Sequence, residues 1–287
     1  MKNVLKIFVS ILLLLIVSCE VKQPDSTSFW KDGYCRQENV FPVNAGDKTI
    51  TARILEGGLL EFETVELPES FLEWNKDRRM GFLEDIRKMM MREGDGNGPE
   101  LAGPHNGMVA TYGYRRSDAQ FSLNNAVKGM GFIPKPEKMA EMMALLDSTE
   151  QELMPRKLEI LEGFYENLAE NFDLDKQGSL ELYSQPKYMT QSFLNQVYNP
   201  VSTIVFLDFP SYKLKTIARL LDPKDPELTD YERQVVTWIN KVHNYFHGPF
   251  SIDFIGVIYY VVEVYDNSPM GSDPTTGMGR RIMPLLP

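Results

Sequence analysis

The sequence contains little cysteine, little histidine and no excess of positive charge. Among its 287 residues are two cysteines and three histidines, and 30 Lys and Arg are outnumbered by 40 Asp and Glu, which gives a formal net charge of -10. The acidic balance argues against nucleic acid as a partner, because phosphates are bound mainly by Lys and Arg that displace counterions. Beyond the amino-terminal segment, apolar residues are too dispersed for a polytopic membrane protein. The 43% hydrophobic and 24% charged residues are typical of a globular chain that is long enough to bury a core.

The amino-terminal segment has the composition of a secretory signal. Two lysines precede an apolar run from Ile7 to Val17, and a small residue, Ser18, follows it. This order of basic, apolar and small residues is typical of a cleaved signal, and the apolar run is too short to cross a bilayer core of about 30 Å comfortably. We therefore expect residues 1–18 to be a signal peptide, with an uncleaved signal anchor as the alternative.

The residues at the cleavage point, Ile16-Val17-Ser18-Cys19, resemble the lipobox of bacterial lipoproteins. In that family an aliphatic residue lies three positions before an obligatory cysteine, and a small residue lies directly before it. The resemblance implies that the Cys19 thiol is acylated and that cleavage leaves Cys19 as the new amino terminus. Two or three acyl chains hold a protein stably at a membrane, since each buried methylene contributes about 0.8 kcal/mol. We therefore expect the mature chain to be tethered by lipid.

The same resemblance implies a location and a role. Glu20 follows the cysteine, in place of the Asp that retains lipoproteins in the inner membrane of enteric bacteria. We therefore expect the chain at the outer membrane where the organism has one, and otherwise at the cell membrane. The predicted function is that of a lipid-anchored cell-envelope protein with a soluble binding or structural domain. Its expected partners are the membrane, through the anchor, and another envelope component.

The cysteine content fits an exported domain without disulfides. Lipidation would use Cys19 and leave Cys35 alone, so no intrachain disulfide can form and the core has to supply the stability. Residues 19–28 are polar and include Pro24, which predicts a flexible tether. Residues 29–287 are predicted to form a single globular domain.

The carboxyl third of the sequence predicts an α+β fold. Residues 203–207 form a continuous apolar run, which is typical of a strand covered on both faces. Residues 211–221 carry apolar side chains at helical spacing. A capping box at Thr229 and Glu232 opens a second helix, and residues 250–265 alternate as a long strand. These segments predict a strand-helix-helix-strand unit within a mixed sheet on which helices pack.

His243 and His247 are the first candidates for chemistry. Residues four apart on a helix lie on one face with about 5–6 Å between their Cβ atoms, so both imidazoles could reach one metal ion. His105 or Asp208 would supply a further ligand, and a metal-dependent envelope enzyme is therefore the alternative function. Asn244 occupies the position where the zincin pattern has its Glu, which argues against a metalloprotease. The two histidines could equally cap and pack the last helical turn.

Residues 173–181 read Asp-Leu-Asp-Lys-Gln-Gly-Ser-Leu-Glu and follow a predicted helix. The alternating carboxylates and Gly178 resemble the EF-hand calcium loop, in which a glycine makes the sharp turn and oxygen ligands surround the cation. Ser184 stands at the twelfth position, where that family has a bidentate Glu, so an acidic turn at the end of a helix is the alternative. The resemblance implies a weak calcium site with the ligands Asp173, Asp175, Gln177 and Glu181.

No catalytic set converges in the rest of the sequence. A Gly-x-Ser-x-Gly motif is missing, and no Lys follows the glycine-rich residues 94–107 at the spacing of a phosphate-binding loop. Asp208 ends a predicted strand and could act as an acid or base only with a histidine beside it. The sequence therefore favours a binding or structural role over an enzymatic one and indicates no particular cofactor.

Overall fold

The structure is a computed structural model that describes residues 23–91, 103, 105–269 and 277–285. The predicted signal peptide and the predicted lipidation site, Cys19, lie outside the described residues. So do residues 92–102 and 104, which include most of the glycine-rich stretch 94–107. In the part of the chain that the structure describes, no helix is both long and apolar enough to cross a membrane.

The described chain combines helices with an antiparallel sheet, which confirms the predicted α+β class. The helices are α1 (Glu69–Met91), α2 (Pro136–Ser148), α3 (Met154–Glu166), α4 (Leu168–Asn171), α5 (Gln191–Tyr198) and α6 (Asp230–His247), and a short 3-10 helix spans Ser26–Phe29. The strands are β1 (Trp30–Lys31), β2 (Tyr34–Cys35), β3 (Thr49–Arg53), β4 (Leu59–Glu63), β5 (Asn106–Thr111), β6 (Asn124–Gly129), β7 (Gly131–Pro134), β8 (Phe172–Glu181), β9 (Val201–Phe206), β10 (Tyr212–Leu221), β11 (Ile255–Asp266) and β12 (Arg280–Met283).

One large sheet forms the body of the described structure. Its strand order is β6-β5-β9-β10-β11-β8-β7, with β12 added beside β11, while β1 pairs with β2 and β3 pairs with β4 in two separate hairpins. β6 at one end of this order contacts β8 near the other end, which shows that the large sheet curls. Every pairing within it is antiparallel, so the expectation of a mixed sheet was wrong.

The predicted long strand of the carboxyl third is confirmed as β11, which lies between β10 and β8. All seven residues from Ile255 to Val261 are buried, so both faces of this strand are covered. An unbroken run of β-branched and aromatic side chains is typical of such a position. The core of the molecule is therefore built around β11.

The helix predicted over residues 211–221 was wrong, because this segment is strand β10. Its apolar residues lie on both faces, with Leu214 and Ile217 on opposite sides of the sheet and both buried. A strand that is covered on both faces contains apolar residues at every spacing, including the helical one. The Ser211 hydroxyl, at the start of this segment, donates to the Phe206 carbonyl at 3.0 Å. The observed unit is therefore strand-strand-helix-strand.

Helix α6 begins at the predicted capping box. The Thr229 Oγ1 atom accepts from the Glu232 amide at 3.1 Å, and the Glu232 carboxylate accepts from the Thr229 amide at 3.0 Å. The helix packs on the sheet at β7, β8, β10 and β11. This packing brings its carboxyl-terminal half, which contains two of the three histidines, close to the end of α2.

Candidate functional site

The four residues of the predicted calcium site lie in strand β8, so the expected loop was wrong. An extended strand rises about 3.3 Å per residue, so residues 173 and 181 lie about 26 Å apart, whereas an EF-hand loop curls around its ion. The Lys128 ammonium forms an ion pair with Glu181 at the carboxyl end of the strand. The Gln177 amide donates to the Lys176 carbonyl at 3.0 Å. Two of the four residues are therefore committed to contacts within the protein.

Asp173 and Asp175 are neutralised by lysine. The Lys176 Nζ atom lies 2.9 Å from Asp173 Oδ2 and 3.2 Å from Asp175 Oδ1, and Lys48 Nζ lies 3.1 Å from Asp175 Oδ2. The Tyr231 hydroxyl lies 3.3 Å from the same Lys176 nitrogen. Burial alone would raise the pKa of Asp175, but the two lysines and a hydroxyl donor lower it. The sequence pattern of alternating acids therefore belongs to a buried ion cluster.

A second buried polar network was not predicted from the sequence. The Glu181 carboxylate accepts from Gln196 Nε2 at 2.9 Å, and the Gln196 side-chain oxygen Oε1 accepts from the Tyr259 hydroxyl at 3.0 Å. Together with Lys128, these residues join β6, β8, β11 and α5 inside the curled sheet. Burial is the largest cause that raises the pKa of Tyr259 well above its usual value. All its members are engaged with one another, which indicates a structural role for this network.

His243 and His247 face each other near the carboxyl end of α6. Their ring centroids are 4.7 Å apart, and the His243 ring stacks on Phe250 at 4.9 Å. Burial, followed by the charge of His247, lowers the pKa of His243. The His243 Nε2 atom is buried and has no hydrogen-bond partner among the described residues. The pairing predicted from the four-residue spacing is therefore present as a close contact of two imidazoles.

The two proposed companions of this pair have other partners. His105 packs edge-on against Phe82 with centroids 5.6 Å apart, and Asp208 forms an ion pair with Arg78 at 2.7 Å. The described residues contain no group of three or more His, Cys, Asp or Glu side chains that could hold a metal ion. A metal site at His243 and His247 stays a prediction.

A cleft of about 190 Å³ opens between the ends of α2 and α6. An ion pair of Asp147 with Lys241 spans the two helices, and Asp253 adds a further carboxylate to the lining. The side-chain oxygen Oδ1 of Asn244, which also belongs to the lining, is buried and has no hydrogen-bond partner within the described ranges. Oxygen acceptors of this kind suit a small ligand that carries hydroxyl or amino hydrogens. Sequence reasoning missed the cleft because its walls are about a hundred positions apart in the chain.

Comparison with known proteins gives no family. No family model matches the sequence, and no curated protein matches it. A solved structure described as ChuZ of Campylobacter jejuni has 12% sequence identity over 82% of this chain and 78% of that chain, with a TM-score of 0.28. This similarity is too low to inform either the fold or the function.

Proposed function

We propose that the chain is a lipid-anchored protein of the cell envelope whose folded domain has a binding or structural role. The observation that carries the proposal is the lipobox-like Ile16-Val17-Ser18-Cys19 at the end of a short apolar run. Acyl chains on Cys19 would hold the domain at the outer membrane where the organism has one, and otherwise at the cell membrane.

The environment of the second cysteine makes it a poor alternative target for acylation. Cys35 is 3% exposed and belongs to the hydrophobic core. Burial, with the nearby carboxylates Asp222 and Asp225, raises the pKa of the Cys35 thiol. A buried, protonated thiol is a poor nucleophile. Cys35 is therefore not a competing target for lipid transfer.

The cleft between α2 and α6 supports a binding role for the domain. It is concave, its lining mixes apolar Leu146 and Val236 with carboxylates and amides, and one acceptor in it lacks a partner among the described residues. At about 190 Å³ it is smaller than most ligand pockets and has room only for a small polar molecule.

Metabolic labelling with palmitate tests the anchor. Labelled palmitate should enter the unsubstituted chain and a Cys35→Ser control, and it should not enter Cys19→Ser. Mass spectrometry of the native protein should recover an amino-terminal peptide that begins at acylated Cys19. Recovery of an unmodified peptide beginning at Met1, or equal labelling of Cys19→Ser, would overturn the proposal.

A further inference from the structure

The folded domain begins at one end of the large sheet. The Gln23 side chain donates to the Gly113 carbonyl at 3.3 Å, and the Tyr114 hydroxyl donates to the Pro24 carbonyl at 3.0 Å. The Phe29 ring also packs on Tyr114, with centroids 5.6 Å apart. These contacts hold the first described residues against the loop that follows β5.

Two loops meet at this end of the sheet. The first covers residues 112–123, and the second covers residues 182–190. An Arg116 guanidinium nitrogen donates to the Met189 carbonyl at 3.2 Å, and the Arg116 amide donates to the Gln191 side chain at 3.2 Å. The Asn195 amide group of α5 donates to the Ser122 carbonyl at 2.7 Å. The loops are therefore fixed to each other, to α5 and to the start of the domain.

The two loops expose large apolar and aromatic side chains, which we call the aromatic rim. Its most exposed members are Phe121 at 73%, Tyr183 at 71% and Leu123 at 67%, and it also includes Tyr112 and Tyr188. Single exposed apolar residues are ordinary, but a group on neighbouring loops marks an interaction surface. Tyrosines are suited to a membrane interface, because each has an apolar body and a polar tip.

The loops that bear the aromatic rim are cationic on an acidic chain. The two loops carry Arg115, Arg116 and Lys187 and one carboxylate, Asp118. Arg116 donates two hydrogen bonds to Asp118, so the net positive charge of the loops rests on Arg115 and Lys187. The whole sequence has a net charge of -10. Arginine and lysine beside exposed aromatic residues suit contact with lipid phosphates. The charge of the loops and the exposure of their aromatic side chains therefore both favour a lipid surface as the partner.

Chain length places this surface close to the expected anchor. Cys19 precedes Gln23 by four positions, and four residues span at most about 14 Å even when fully extended. We propose that the aromatic rim docks on the bilayer that holds the acyl chains, with the rim side chains in the interface and the basic side chains at the phosphates. This inference rests on the proposed lipid anchor, and it adds that the domain has one fixed face toward the membrane.

The opposite end of the sheet supplies a matched control. Leu207 and Phe209 are 73% and 80% exposed in the turn between β9 and β10. Strand pairing places Thr111 beside Ser202 and Met108 beside Val205, so this turn lies at the other end of β9 from the aromatic rim. The two ends are about 17 Å apart along this strand. Phe209 is as exposed as Phe121 but lies at the other end of the sheet from the expected anchor. A comparison of the two positions therefore distinguishes docking of the aromatic rim from nonspecific adsorption to lipid.

The experiment couples the mature chain, residues 19–287, through Cys19 to a maleimide lipid. Vesicles of phosphatidylcholine with a minority of phosphatidylglycerol carry this lipid, and buried Cys35 stays unreacted. Chemical coupling replaces acylation by the cell, so a failure to dock is distinct from a failure of palmitate labelling. Phe121→Trp and Phe209→Trp each add one tryptophan, and the emission of the unsubstituted chain is subtracted.

Brominated lipids should quench the added emission of Phe121→Trp by about twofold or more, since bromine quenches at contact within the interface. The added emission of Phe209→Trp should be unchanged. Tethering should also slow trypsin cleavage at Arg115 and Lys187. This protection should be lost when Phe121→Ser is combined with Tyr183→Ser, and kept when Leu207→Ser is combined with Phe209→Ser.

Equal emission of Phe121→Trp on brominated and ordinary lipid, in coupled protein whose folding is verified by circular dichroism, would overturn the inference. A photo-crosslinker at position 121 that captures a protein in cells, together with unquenched emission, would assign the aromatic rim to a protein partner and would also overturn it.

Discussion

Glu181 and Lys128 form an ion pair inside the sheet, where their side chains are only 3% and 8% exposed. Removing two charges from water is costly, and the attraction between them compensates only when the remaining hydrogen-bonding capacity is used. Gln196 provides such a bond to the carboxylate at 2.9 Å. Loss of either partner therefore leaves a buried charge without compensation.

We predict that Glu181→Leu lowers the free energy of unfolding by about 3 kcal/mol, because Lys128 then remains buried and unpaired. The double variant Glu181→Leu with Lys128→Met should lose much less, since no charge is left in the interior. Urea denaturation followed by circular dichroism measures both.

A matched surface pair serves as the control for this prediction. Arg156 and Glu159 form an ion pair at 2.8 Å with side chains 54% and 56% exposed, and Glu159→Leu should change the stability by less than about 1 kcal/mol. A single variant at position 181 that is as stable as the double variant would contradict the role given to the buried charge.

At the scale of elements, the fold depends on how closely α6 approaches the sheet. A Cβ atom added to Gly178 of β8 would lie 3.1 Å from Ile239 Cδ1, and one added to Gly256 of β11 would lie 3.0 Å from Val236 Cγ2. Both distances are tighter than ordinary van der Waals contact. The two glycines therefore let the helix lie directly on neighbouring strands.

We predict that Gly178→Ala destabilises the domain by about 1–3 kcal/mol, because the added methyl group overfills a packed interface. Ile239→Ala alone should also destabilise it by leaving a cavity. The double variant should lose less than the sum of the two, since the smaller side chain makes room for the methyl group. Chemical denaturation of the four chains measures the coupling, and strictly additive losses would show that the two side chains do not compete for space.

The same elements show how much of the fold was predictable. Helix α6 and strand β11 were predicted because a capping box and a long alternating run are local signals. The helix predicted at β10 was wrong because this strand is buried on both faces, and its apolar residues therefore do not alternate with polar ones. That burial depends on partners far along the chain. The calcium loop predicted over β8 was wrong because the acidic residues there are paired with lysines. One of these, Lys48, is more than a hundred positions away in the sequence, so the local pattern could not reveal it. The cleft and the aromatic rim join distant segments, and no local pattern describes them.

At the scale of the whole molecule, a half-buried histidine links folding to pH. His105 is packed against Phe82, and burial, followed by the positive charges of Arg79 and His247, lowers its pKa from 6.5 to about 4. The folded protein therefore keeps this imidazole neutral at a pH where the unfolded chain protonates it.

We predict that stability falls as the pH is lowered from 6.5 toward 4, because in this range the unfolded chain binds a proton at His105 that the folded protein does not. Well above pH 6.5 both states are neutral at this position and the effect vanishes. Each pH unit costs at most about 1.4 kcal/mol, so the loss between pH 7 and pH 5 is about 2 kcal/mol for this residue. His105→Gln, which cannot be protonated, should lose less stability over the same interval. The contributions of all other titratable groups are the same in both chains and cancel when the two are compared. Urea denaturation of both chains at the two pH values measures the difference, and an identical pH dependence would mean that His105 titrates at the same pH in the folded and unfolded states.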